Sequence, residues 1–302
     1  MTYQETYQWG LEQLEEVEIS EAKQDARLLL EWCCGTDRNT LLAHGDRSVL
    51  QEEYERYRVC IAERKKHVPL QHITGEQDFM GLTFIVNKNV LVPRQDTEVL
   101  VEEVMRYLHD GMRLLDMCTG SGCILLSLLH YSNDCTGVGV DISEEALQVA
   151  KVNAEKILGQ GREHSAGDGS MDDELISGRQ IELLRSDLFE QLDSCEKFDI
   201  IVSNPPYIKT GVIDTLMPEV KEHEPRLALD GQEDGLFFYR EIIAQAGDYL
   251  NSEGMLFFEI GYDQGEEVGA LMEKAGYTEV EVVKDFAGLD RVVHGVYSAN
   301  RR

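Results

Sequence analysis

The tetrapeptide Asn204-Pro205-Pro206-Tyr207 directly follows an apolar run from Asp199 to Ser203. Two consecutive prolines lack N–H groups and have fixed φ, so the Pro205 carbonyl can be aimed at a ligand with no competing donor beside it. The Asn204 side chain offers a second oxygen acceptor. Two acceptors converging from one side suit a planar NH₂ group. The lone pair of such a nitrogen is delocalised and its prior deprotonation is costly. Holding both hydrogens lets orientation and fixed dipoles lower the barrier to methyl transfer at nitrogen. Tyr207 is expected to wall the acceptor plane by stacking. The bland alternative, a Pro-Pro loop that only ends a strand, leaves the Asn and the Tyr incidental.

A second constellation runs from Leu114 through Asp116, Cys118, Thr119, Gly120, Ser121 and Gly122 into the apolar stretch Cys123 to His130. A glycine turn between strand and helix brings backbone close to a ligand, and the amides opening the helix favour electronegative atoms. It also reads as a plain turn or as a dinucleotide fingerprint, but the latter wants a third glycine where Leu125 stands. Asp141 ends the next strand about 20 residues on, where a carboxylate accepts both hydroxyls of a cofactor ribose. Asp187, after a further strand, is either a third acid of this set or a capping carboxylate. Together they indicate an adenosine-bearing cofactor.

The elements that must position these residues alternate from Arg113 onward. Strands are expected at Arg113 to Met117, Thr136 to Val140, Ile181 to Arg185, Asp199 to Ser203, Met255 to Ile260, Glu279 to Val283 and Val292 to Tyr297. Helical stretches separate most of them, which predicts an α/β fold with a mainly parallel sheet covered on both faces. The last two strands are joined without a helix, as in an antiparallel edge hairpin. In such sheets ligands bind beyond the carboxyl ends of the strands, which sets the tetrapeptide beside the glycine turn.

Upstream, Ala22, Ala26, Leu29, Leu30 and Cys33 recur at helical spacing, with Ser20 as N-cap and Gly35 as stop. A later helix carries Tyr54, Tyr57 and Ile61 and ends before Pro69. Phe79 to Pro93 reads as a strand pair turning at Asn87-Lys88-Asn89. Gly159 to Gln180 is rich in Gly, Ser and acids and is expected to be a mobile surface loop.

The 302 residues carry a formal net charge of −29. That charge argues against nucleic acid as a partner, since such binding depends on Lys and Arg neutralising phosphates. The densest basic run, Arg64-Lys65-Lys66-His67, is accounted for by the dipole at a helix end. The seven cysteines include no Cys-x-x-Cys pair, so no metal site is expected and the thiols are taken as reduced. No leader-like opening and no run of 18 apolar residues occurs, so a soluble, cytoplasmic protein is expected.

With these residues in view, the chain resembles the HemK/PrmC family of release-factor glutamine N5-methyltransferases. Beside the tetrapeptide, the likeness rests on Val92-Pro93-Arg94 with Thr97-Glu98, Glu224-Pro225 with Ala228-Leu229, and Asp234-Gly235-Leu236. Glu259-Ile260-Gly261 and Gly288-Leu289-Asp290-Arg291 extend it. The resemblance implies a helical substrate-recognition domain over 1–75, a β-hairpin linker over 76–93, and a Rossmann-like class I methyltransferase domain over 94–302. It further implies S-adenosyl-L-methionine held by Cys118, Thr119, Gly120, Ser121, Gly122 and Asp141, with Leu188 near the adenine and Asn204 touching cofactor and substrate. Asn204, Pro205, Pro206 and Tyr207 would cradle the glutamine of a Gly-Gly-Gln loop in peptide chain release factors. Cys118 stands where the family usually has glycine.

Three other readings share parts of this pattern. An adenine-N6 methyltransferase needs the same grip on a conjugated NH₂, but also a basic groove. A glutamine methyltransferase acting on a ribosomal protein has identical reacting atoms. A non-catalytic cofactor-binding scaffold leaves the acceptor-gripping residues without a purpose.

Overall fold

A computed structural model describes residues 1–159 and 181–298. All of the expected mobile loop except Gly159 lies outside the described residues. The chain packs as two compact units, Met1–Glu76 with Leu216–His223, and Gln77–Thr215 with Glu224–Arg302. Among the described residues no helix is long and apolar enough to cross a membrane.

The first unit is helical: Tyr3–Glu15, Ala22–Cys34, Arg38–Ala43, Gln51–Arg64, Leu70–Thr74 and Pro218–His223. Thr2 and Glu5 close a capping box on the first helix. The second buries Ala26, Leu29, Leu30 and Cys33 against Tyr57 and Ile61 of the fourth. It ends on left-handed Gly35, as its sequence suggests. Its N-cap is Glu21, not Ser20. Ile19 is drawn into the core, and a turn from Ala22 N–H to Ile19 carbonyl delays the helix start.

The basic run closes a helix as expected, with Arg64 in the last turn and Lys65 as C-cap, and carboxylates of the same unit pair with it as well. Arg64 is buried and pairs with Asp25 at 2.7 Å and Glu219 at 3.0 Å. Lys65 pairs with Glu16, Lys66 with Glu63, and His67 lies 3.3 Å from Glu219.

The second unit begins one residue into β1 (Glu76–Phe79), which β2 (Leu82–Ile85) follows. Their turn is Met80-Gly81, both at positive φ, the geometry that two-residue hairpin loops require. Asn87-Lys88-Asn89 does turn, since Asn89 N–H donates to Asn87 Oδ1, but it follows the strand pair. Phe79 and Phe84 pack edge-on into the core. The hairpin tip is pinned where Met80 N–H donates to Glu98 and its carbonyl accepts from the Tyr131 hydroxyl.

The main sheet comprises β3 (Arg113–Met117), β4 (Thr136–Asp141), β5 (Ile181–Arg185), β6 (Phe198–Ser203), β7 (Leu250–Glu259), β8 (Tyr277–Lys284) and β9 (Asp290–Tyr297). Their order is β5-β4-β3-β6-β7-β9-β8. The first five run parallel, and β9 lies antiparallel to both β7 and β8. This is the seven-stranded sheet with a terminal hairpin that the alternation predicts.

Strand alternation divides the core. Leu114, Ile200 and Phe257 join one apolar layer, while Leu115, Ile201 and Phe258 join the other. Each such side chain, fully withdrawn from water, contributes roughly 1.5–3 kcal/mol. From β3 the chain winds outward through β4 and β5, then returns to β6 on the other flank. The crevice at the carboxyl end of β3 is therefore a topological switch point.

Candidate active site

A cavity of about 270 Å³ opens at that crevice. One side is formed by Cys118 to Ser121, Val140 to Ser143 and Ser186 to Leu188, the segments that leave β3, β4 and β5. The turn after β3 holds Cys118, Gly120 and Gly122 at positive φ of 65°, 56° and 80°. At Gly120 a Cβ would meet no protein atom within 4 Å. Cys118 adopts this left-handed geometry despite its side chain, which explains why glycine suits that position.

Asp141 fastens the turn: Oδ2 accepts from Gly120 N–H and Oδ1 from Ser143 N–H, each at 2.9 Å. Each oxygen keeps a lone pair for a further donor. Ser143 caps its own helix through Ala146 N–H, so Asp141 is not the cap. Asn153 ties the turn to the hairpin, donating to Ser121 and Ile85 carbonyls and accepting from Ile85 N–H.

The opposite side is formed by Pro93, Arg94, Thr97, Asn204, Pro206, Pro225, Leu227, Phe237 and Phe238, among others. Asn204 Nδ2 donates to Thr97 Oγ1 over a long 3.5 Å. This orientation leaves Asn204 Oδ1 without a partner among the described residues. Pro205 is buried, and its carbonyl likewise receives no hydrogen bond from a described residue.

Of the residues singled out above, Cys118, Thr119, Gly120, Ser121, Asp141, Leu188, Asn204 and Pro206 line the cavity, as does Asp187. Gly122 and Tyr207 lie behind this wall, and the buried Pro205 sits between the lining residues Asn204 and Pro206. Gly122 packs against the following helix, where a Cβ would come 2.9 Å from Leu126. The Tyr207 ring is drawn into the core layer on its side of the sheet, its hydroxyl donating to Glu259 at 3.2 Å.

A loop not recognised from sequence braces the tetrapeptide. Ile208 N–H donates to Leu229 carbonyl, Gly231 N–H to Ile208 carbonyl, and Thr210 N–H to Gln232 carbonyl. The Gln264 side chain donates to both Tyr207 and Gly235 carbonyls and accepts from Gly261 N–H. The dipeptides Asp230-Gly231 and Asp234-Gly235 were readable as turn signals, and both aspartates do cap local turns. What the turns hold was not readable. Glu224 is buried and accepts two hydrogen bonds from Arg94, which explains why those two segments accompany the tetrapeptide.

Burial pushes several carboxyls near the cavity above their ordinary range. Asp141 and Glu224 rise against the pull of their hydrogen-bonding partners. Glu259 rises despite Thr97, Arg291 and Tyr207. Asp116, fully buried, is pushed up to about 7 by desolvation, against the Thr119 hydroxyl bound to its Oδ2 at 2.6 Å.

Stability follows from this sign. Below its unfolded value near 3.8, Asp116 is protonated in both states and costs nothing. As pH rises towards about 7, the unfolded chain releases a proton that the folded chain retains, and stability falls. Asp116→Asn is therefore expected to flatten the decline in melting temperature between about pH 4 and about 7, measured by thermal denaturation across that range. An unchanged slope would show Asp116 ionised in the fold.

Known proteins resemble this chain over most of its length. The family model described as PrmC N-terminal domain matches residues 5–75, and that described as Methyltransferase domain matches residues 108–167. The release factor glutamine methyltransferase of Geobacter sulfurreducens is 38% identical, covering 97% of this chain and 96% of its own. That of Caulobacter vibrioides is 41% identical, covering 94% and 93%. Among solved structures, a methyltransferase from Pyrococcus furiosus shares the fold at 15% identity and a TM-score of 0.50, covering 82% of this chain and all of that one. The protein-(glutamine-N5) methyltransferase (release factor-specific) of Alicyclobacillus acidocaldarius is 27% identical over 71% of this chain and 99% of its own, with a TM-score of 0.39.

Proposed function

Because this chain belongs to the release factor glutamine methyltransferase family, we infer that it methylates the side-chain amide nitrogen (N5) of a release-factor glutamine, with S-adenosyl-L-methionine as donor. The acceptor is the glutamine of a Gly-Gly-Gln loop, and the enzyme works in the cytoplasm, where such a partner is made and used. The helical unit is the part that engages the release factor.

The cavity suits the cofactor. Asp141 retains lone pairs for ribose hydroxyls, Leu188 offers an apolar face for adenine, and the Cys118 to Ser121 turn leaves room at Gly120 for close backbone approach. When bound, S-adenosyl-L-methionine supplies a methyl group made electrophilic by its sulfonium sulfur.

The single observation that carries the acceptor assignment is the pair of unengaged oxygens at the end of β6. Asn204 Oδ1 and the Pro205 carbonyl accept the two hydrogens of the carboxamide and fix its plane. Thr97 turns the Asn204 amide so that oxygen, and not nitrogen, meets the substrate. With the cofactor bound, these acceptors would hold the nitrogen towards the electrophilic methyl group and stabilise the positive charge that builds on it, the displaced proton leaving to bulk water. Tyr207 acts through the backbone it anchors, since its ring lies outside the cavity.

The test is incubation with methyl-labelled cofactor and purified release factor, ribosomal protein or nucleic acid. Label is expected in the release factor alone and lost when its Gly-Gly-Gln glutamine is replaced. Labelled nucleic acid would transfer the assignment to adenine. The internal pairing of the Arg64 to His67 run speaks against that outcome.

A further inference from the structure

The helical unit holds two thiols that methyl transfer does not use. Cys33, on the Ala22–Cys34 helix, and Cys60, on the Gln51–Arg64 helix, are free and buried, with their Sγ atoms 3.8 Å apart. Cys60 also lines an open groove of about 820 Å³, beside Trp32, Arg56, Val59 and Glu63. The Cys33 thiol donates towards Cys60. That bond holds Cys60 below the ordinary thiol range, while the same bond and burial push Cys33 up. The Arg56 guanidinium, which donates to the Cys33 carbonyl at 2.6 Å, favours thiolate at both sulfurs.

We propose that Cys33 and Cys60 form a reversible thiol–disulfide site, oxidised by small disulfides that reach Cys60 through the groove. The Cys60 thiolate attacks one sulfur of a compound such as oxidised glutathione, forming a mixed disulfide and expelling one glutathione thiolate. Cys33 then loses its proton and attacks the Cys60 sulfur, and the second glutathione leaves. Two protein thiols are oxidised while one small disulfide is reduced to two thiols, so atoms and electrons balance. Bond formation closes the 3.8 Å sulfur–sulfur contact to about 2 Å. The two helices are already tied by the Tyr57 hydroxyl donating to Ala26 carbonyl. Neighbouring Cys34 is a natural control, since burial pushes its thiol up to about 11.

The experiment uses the full-length protein in mixtures of oxidised and reduced glutathione, followed by alkylation of remaining thiols and peptide mass mapping. A linked Cys33–Cys60 peptide pair is expected, reversed by dithiothreitol and accompanied by a higher melting temperature. Cys33→Ala is expected to accumulate glutathione on Cys60 instead, with circular dichroism confirming that the variant folds. Stable glutathionylation of Cys60 in the unaltered chain, alkylation of both thiols at every ratio, or linkage through Cys34 would each overturn the proposal.

Discussion

Asn204→Ala is expected to lower kcat by about 10²–10³-fold while leaving the fold in place. The side chain is only partly buried, and its one hydrogen bond to a described residue is the 3.5 Å contact with Thr97. Its removal therefore costs at most about 1 kcal/mol of stability. Cofactor affinity should change far less than turnover, because Asp141 and the glycine turn are untouched. Single-turnover kinetics, calorimetric titration and thermal denaturation on the same preparation separate the three quantities. A parallel fall in melting temperature and activity would return Asn204 to a structural role.

Gly231→Ala is expected to be nearly as damaging, though Gly231 does not line the cavity. A Cβ there would lie 2.7 Å from Tyr207 Cα, 2.8 Å from its carbonyl carbon and 2.9 Å from the Pro206 oxygen. All three are backbone atoms, so no rotamer change relieves the clash. The tetrapeptide must shift, and a displacement of about 1 Å at reacting groups costs on the order of 10²-fold in rate. Overpacking of this kind also costs about 1–3 kcal/mol. The diagnostic pattern is a collapse of kcat with the cofactor dissociation constant preserved. Activity equal to the parent would mean that the loop tolerates displacement and braces nothing.

Local periodicity carried most of the architecture. Every strand of the main sheet was legible, because β-branched runs bounded by turns alternate with helical stretches. The misplacements share one cause, which is that tertiary contacts outranked local signals. Asn87-Lys88-Asn89 looks like a hairpin turn, yet Met80-Gly81 makes it because Phe79 and Phe84 then both reach the core. Ser20 is the better cap by type, but burial of Ile19 moved the helix start. Arg64 does end its helix, but its carboxylate partner Glu219, 155 residues away, was beyond local reading.

The site shows the same division. The letters of Asn204 to Tyr207 and of Cys118 to Gly122 were visible as chemistry. The supports were legible only as letters of the family likeness, at Thr97 and Glu259, or not at all, at Gly231 and Gln264, because three separate stretches meet there only in the fold. Tyr207 is the instructive case: residue type suggested a stacking platform, and the hold of the buried Glu259 carboxyl on its hydroxyl was not legible.

The forked amide of Gln264 has a consequence for transplantation. One side chain joins carbonyls at positions 207 and 235 to an amide at 261. Copying the four letters onto another strand end would reproduce a spelling without its scaffold. A graft that hopes to inherit this reactivity must import the double-glycine loop and its glutamine clasp as a single part.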